Sequence, residues 1–210
     1  MATSKRAMGK PRRPYHHGNL RRALLDEALA TIGSEGVDRL TLREIGARLG
    51  VSRTALYRHF ADKRALLAGV ATEGFRMLRE QLVAAWKKGG CGGPAFLAMG
   101  VAYMRFAVAN PAHYRVMFGS FVDPKEAEFE LAAEADGAFQ ALVDALVALQ
   151  RSAVVRDDDI LLMARFVWSV VHGVAMLAID GQVSEPGATE ALMRYALDRL
   201  QAGIENGAGR

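Results

Sequence analysis

The chain has 210 residues, 51% hydrophobic and 24% charged, with a net charge of +4. That is the profile of an ordinary soluble globular protein, long enough for one large or two small domains with a real core. A single cysteine, Cys91, excludes an intrachain disulfide and fits a reducing cytoplasm.

The charge is unevenly spread. Residues 1–64 carry +8 and the remainder −4, so the N-terminal third is the end suited to a polyanion. No stretch alternates at period two, and Ala, Leu, Arg and Glu recur throughout. The fold class expected is therefore all-α.

In chain order, residues 1–17 read as a basic arm, with Lys5, Arg6, Lys10, Arg12 and Arg13. The arm is expected to attract phosphate without reading sequence. No apolar segment follows it as a signal peptide requires. Asn19 can cap a first helix running to about Glu35, with Leu20, Ala23, Leu24, Ala28 and Ile32 on its apolar face and Gly36 at its end.

Thr41-Leu42-Arg43-Glu44 is a capping box. It opens a two-turn helix that buries Leu42, Ile45 and Leu49 and stops at Gly50. Ser52 caps another short helix that turns Leu56 inward and reaches Phe60. Asp62 caps a long one from Lys63 to about Lys88. Gly46 leaves room for close packing. Two short helices across a glycine turn need a third to cover them, and such a trio places its last helix in the DNA major groove. The outward residues are then Arg53, Thr54, Tyr57 and Arg58, with Tyr57 and His59 also readable as packing residues.

The Gly89–Pro94 stretch breaks the long helix and holds Cys91. Amphipathic segments follow at roughly 94–109, 111–120, 123–150, 157–180 and 187–204. They are rich in Met and aromatic residues, which fill cores but also line adaptable pockets. The pocket candidates are Met99, Tyr103, Phe106, Met117, Phe121, Trp168, His172 and Met176. The segment Ile160–Ile179 has the length of a bilayer span but contains Arg165 and His172 and is flanked by aspartates, so a buried helix is expected and no membrane partner.

Thr41 to Leu67, TLREIGARLGVSRTALYRHFADKRALL, resembles the DNA-binding domain of tetracycline-repressor (TetR) family regulators. The resemblance implies a nine-helix, two-domain homodimer on a near-palindromic double-stranded operator. Carried onto the matching positions, Thr41, Tyr57, His59 and Lys63 hold phosphates, with Ser52 and Arg58 beside them. Arg43, Arg53 and Thr54 approach bases, and an Arg–guanine contact is worth roughly 1–3 kcal/mol of discrimination. Asn110 to Phe118 and Trp168-Ser169-Val170-Val171-His172-Gly173 resemble the C-terminal subfamily named for its Trp-His-Gly pattern, as does Tyr15 to Leu20. There Gly173 is expected to permit close helix approach, and His172 to be hydrogen-bonded in the core. His113 is expected to cap or bond a neighbouring segment.

The division expected is a 1–17 arm, an 18–65 DNA-binding domain and a 66–210 domain that binds a small apolar or amphipathic effector and dimerises. The dimer candidates are Val167, Val170, Val171, Val174 and Leu177 on one helix and Leu192 and Tyr195 on the next. No phosphate loop, nucleophile elbow or zinc-ligand spacing supports an enzyme, and the dispersed histidines argue against a metal or other cofactor. A thiol sensor built on Cys91 has only Lys87 and Lys88 nearby to activate it.

Overall fold

The computed structural model describes residues 20–122, 129–185 and 187–206. The basic arm, the Asn19 cap and the start of the 123–150 segment lie outside them. Nine α-helices account for the described regular structure: α1 Leu20–Glu35, α2 Leu42–Leu49, α3 Arg53–Tyr57, α4 Lys63–Lys88, α5 Gly93–Ala109, α6 Pro111–Phe118, α7 Phe129–Arg151, α8 Ile160–Ile179 and α9 Ala188–Ile204. The all-α expectation holds.

Local chemistry sets the helix boundaries. The Thr41 hydroxyl accepts the Glu44 backbone N–H at 3.2 Å and donates to the Glu44 carboxylate at 2.8 Å. Ser52 Oγ accepts from Ala55 N–H at 3.2 Å, and Asp62 Oδ1 from Ala65 N–H at 2.8 Å. Each bond satisfies a donor that a helix N-terminus leaves orphaned. Gly50 has φ 66°, a left-handed conformation that favours glycine, and there α2 turns into the next segment.

Two boundaries differ from expectation. Helix α3 stops at Tyr57, because the chain tightens so that both His59 and Phe60 N–H groups donate to the Leu56 carbonyl. Phe60 then turns inward and is buried. Helix α8 starts at Ile160, capped by Asp159, whose carboxylate accepts Leu162 N–H at 2.8 Å.

One apolar core runs from α1 to α9. The first turns of α4 pack under the short helices, where Gly69 lies close to Leu25 and Phe60. The middle of α4 packs against α5, α6 and α7. Arg22 on α1 pairs with Glu73 on α4, and Arg76 and Arg79 on α4 pair with Glu130 and Glu134 on α7. Such exposed pairs fix geometry more than they stabilise, contributing about 0–1 kcal/mol each. An antiparallel bridge, Val155 to Glu205, ties the end of α9 to the α7–α8 loop.

Among the described residues one helix, Ile160–Ile179, is long and apolar enough to cross a membrane. Within the single chain it is only partly buried. One side packs on α5, α7 and α9, while Leu162, Phe166 and Leu177 stay exposed on the other.

Candidate nucleic-acid interface and effector cavity

The small core under α2 and α3 uses Leu42, Ile45, Leu56 and Phe60, with Leu49 and Val51 at its edge. Gly46 belongs to it: a Cβ there would lie 2.8 Å from Leu56 Cδ1, so only glycine lets α3 seat against α2 without the leucine shifting. Arg48 is bound to α1, donating to Thr31 Oγ1 at 3.1 Å and pairing with Glu35 at 2.7 Å and Glu27 at 3.4 Å. That arginine is a strut and leaves the outer face to others.

The outer face carries Thr41, Arg43, Ser52, Arg53, Thr54, Tyr57, Arg58 and His59, all exposed, with Lys63 half-buried beside them. Eight of the nine predicted positions are thus open to solvent, and Lys63 is partly so. Tyr57 is 44% exposed, so it does not pack between helices. Its ring instead lies under the Arg53 guanidinium at 5.5 Å, a contact that stiffens the arginine. Arg43, Arg53 and Arg58 form no ion pair among the described residues. Lys63 Nζ donates to the Asp38 carbonyl at 3.3 Å. Thr41 and Ser52 already use their oxygens in the caps, which leaves their backbone surroundings to meet a phosphate.

The second feature is a cavity of about 520 Å³ lined by residues of α4 to α9. Four of the predicted pocket residues line it: Met99, Tyr103, Met117 and Trp168. The other four do not. Phe106 is fully buried and faces the core. Phe121 and Met176 line a separate cavity of about 290 Å³, with Val37, Tyr114, Arg115, Phe118, Gly119 and Asp180. His172 lies behind the main cavity wall. The residues missed include Phe75, Leu78 and Leu82 on α4, Phe96 on α5, Phe118 on α6, and Asp136 and Phe139 on α7.

A polar relay runs behind the wall. Trp168 Nε1 donates to the Tyr103 hydroxyl at 3.2 Å, the Tyr103 and Tyr114 hydroxyls are 2.9 Å apart, and the Tyr114 hydroxyl, placed to donate, lies 2.7 Å from His172 Nδ1, with that of Tyr103 3.3 Å from the same nitrogen. This direction uses a neutral His172 with its proton on Nε2. Burial lowers the His172 pKa, which favours that neutral form. Burial also pushes the Tyr103 phenol up to about 12 and Tyr114 higher, so both remain protonated at neutral pH. The expected hydrogen-bonded core histidine is therefore present, and Trp168 and His172 share a face with ring centroids 5.7 Å apart.

Gly173 lies on the outward side of α8, with open space where a Cβ would stand. One expectation for this region fails. His113 neither caps nor bonds a neighbour: it is buried against α4, and its Nε2 has no hydrogen-bond partner. The dimer candidates also divide. Val167, Val171 and Val174 are buried in their own chain, and the first two line the cavity. Leu177 and Tyr195 are exposed, while Val170 and Leu192 are half-buried. Outward positions that the sequence reading passed over are Leu162 and Phe166.

Among the described residues no group of three or more His, Cys, Asp or Glu side chains converges as a metal site would need. Cys91 is exposed at a left-handed φ of 56° in the α4–α5 turn.

Comparison with known proteins matches residues 24–70 to the family described as bacterial regulatory proteins, tetR family, and residues 96–200 to the tetracyclin repressor-like C-terminal domain. The tetracycline repressor protein class D of Escherichia coli is 40% identical over 53 residues, 25% of this chain and 24% of that protein. The chain thus matches about a quarter of the length of that relative. An uncharacterised HTH-type transcriptional regulator of Mycobacterium tuberculosis is 24% identical over 188 residues, covering 88% of this chain and 81% of that protein. A solved structure of a protein of unknown function from Rhodococcus superposes with a TM-score of 0.80 at 29% identity, covering 93% of this chain and all of the other.

Proposed function

The chain belongs to the tetracycline-repressor family, and on that premise we propose that it is a repressor that holds an operator through α2 and α3 and releases it when a small molecule fills the main cavity. One observation carries this reading. Short, firmly capped helices present three exposed arginines that form no ion pair among the described residues, with a half-buried lysine at the start of the next helix.

Arg43, Arg53 and Thr54 are assigned to base edges. Thr41, Ser52, Tyr57, Arg58, His59 and Lys63 are assigned to phosphates. DNA binding belongs to residues 18–65, effector binding and dimerisation to 66–210. Capped short helices are rigid, so the arginines are pre-organised for a groove.

The active form is a homodimer in this reading. Leu162, Phe166, Val170 and Leu177 on α8, with Leu192 and Tyr195 on α9, supply an outward apolar face that a monomer leaves wet. Gly173 on that face gives a partner helix room to approach. Two such protomers would set their recognition helices about one turn apart, roughly 34–36 Å in simple helix-turn-helix dimers.

Coupling runs through α4. Its first turns sit under the DNA-binding helices, and Phe75, Leu78 and Leu82 reach the cavity. A ligand that moves these side chains tilts the element that positions Arg53. Ligand and operator then weaken each other reciprocally. Regulation of this kind takes place in the cytoplasm and needs no catalysis.

The test is selection of bound sequences from random duplex DNA, repeated with Arg53→Ala. The expected result is an enriched palindrome whose preference relaxes in the variant. No enrichment by a folded protein would overturn the operator reading and leave the cavity as the functional element.

A further inference from the structure

The main cavity has an asymmetric chemistry. Phe75, Phe96, Phe118 and Phe139 give it aromatic walls, and most of the rest is aliphatic. Among its described lining residues Asp136 is the one charged side chain. It is exposed at the rim, one turn before Phe139 on α7. Phe139 and Trp168 meet there edge to face, with centroids 6.1 Å apart, and Trp168 is 37% exposed.

The neighbouring charges are already occupied. Glu134 accepts from Arg76 Nε at 3.1 Å and from Arg79 Nε at 3.0 Å. Arg79 runs past Gly137 toward that pair. Asp136 has no hydrogen bond or ion pair among the described residues. A carboxylate with no ion pair among the described residues, one turn from Phe139, attracts a cation by its charge, and the quadrupoles of the Phe139 and Trp168 rings add to that pull. An anion at the same rim would be repelled, and the apolar interior holds no cation to rescue it.

Resting on the assignment of this cavity to an effector, we infer that the effector class is an amphipathic cation: an apolar body seated among Phe75, Phe96 and Met99, with an ammonium head at the Asp136, Phe139 and Trp168 rim. The cavity volume falls in the range of small-molecule sites, roughly 300–1,000 Å³. Tyr103 and Trp168 have already spent their donors on the relay, so the interior offers the ligand little polar recognition and the head group decides specificity.

Calorimetry on the full chain tests this with decyltrimethylammonium and decanoate, each below its micelle concentration, and 1-decanol below its solubility limit. The cation is expected to bind about tenfold more tightly than the alcohol, and decanoate most weakly. Asp136→Asn should erase the advantage of the cation over the alcohol while leaving alcohol binding intact. Asp136 is exposed, so this variant is expected to fold. Equal affinities, no binding of the cation, or an advantage that survives Asp136→Asn would each overturn the inference. The effector reading is judged by a different readout, whether a bound probe loosens operator DNA. Alcohol and cation binding equally and both releasing DNA would sink the cation inference and keep the effector one.

Discussion

The α2–α3 unit and the α4–α9 bundle solve opposite problems. The first keeps its functional side chains out of the core and fixes them through bonds that span three or four residues. Thr41, Ser52 and Asp62 each cap their own helix, and Arg53 rests on Tyr57 four positions later. The second buries its functional side chains and fixes them through contacts between distant segments. Tyr114 reaches His172, 58 positions away, and Tyr103 reaches Trp168, 65 away. The lesson is that changes on the recognition face should alter binding without altering stability. Changes in the buried part of the bundle should alter both.

The largest effect sharpens that contrast from inside the recognition unit. Leu56→Ala, which hollows the small core beside Gly46, should destabilise the protein by about 2–5 kcal/mol. Thermal unfolding checks it, and an unchanged Tm would show that α3 needs no core.

Next comes the relay. Tyr114→Phe removes the hydroxyl 2.7 Å from His172 Nδ1, leaving only that of Tyr103 at 3.3 Å, and should cost roughly 1–3 kcal/mol. Denaturant titration reads this, and Trp168 emission should shift with it. A neutral outcome would mean that water replaces the hydroxyl.

Arg53→Ala should then cost operator affinity of about 1–3 kcal/mol and relax base preference at one position. Its Tm should match the parent. A fall in Tm would break the separation between face and core.

The smallest effect concerns pH. Burial lowers the His113 and His172 pKa values below the ordinary value near 6.5. Both groups therefore stay neutral in the folded chain while they protonate in the unfolded one. The stability this carries is complete above about pH 6.5 and is lost as pH falls toward the folded-state values. Tm measured from pH 7.5 downward should decline through that window, and His113→Leu should flatten the decline. A profile that is flat or rises on acidification would refute the assignment.

These two regions were unequally legible in the sequence. The caps, the Gly50 turn and the outward arginines follow from spacing within a few residues, and all of them stand in the structure. The cavity wall is assembled from six helices. Periodicity says that Phe75 and Leu78 face inward but not whether they meet neighbours or empty space. Helix α8 is apolar on nearly every side, so Val167 and Val171 could not be told from Leu162 and Phe166 by pattern alone. Asp136 carried a signal that was passed over: a carboxylate one turn from an aromatic residue on a helix that otherwise reads as apolar on that side. The orphaned Nε2 of His113 had no signal, since burial there depends on where α6 meets α4.

Phe118 and Gly119 line both the 520 Å³ cavity and the 290 Å³ one beside Val37. They are a common partition, and the Phe118 ring in it packs against Phe75, Tyr114, Trp168 and His172. A rotation of Phe118 that enlarges one chamber takes volume from the other, so the two compartments trade space. The smaller chamber touches Val37, just before the DNA-binding helices. Filling the large chamber is thus expected to be felt at Val37 as a change in room to move, even where no side chain of the DNA-binding helices meets the ligand.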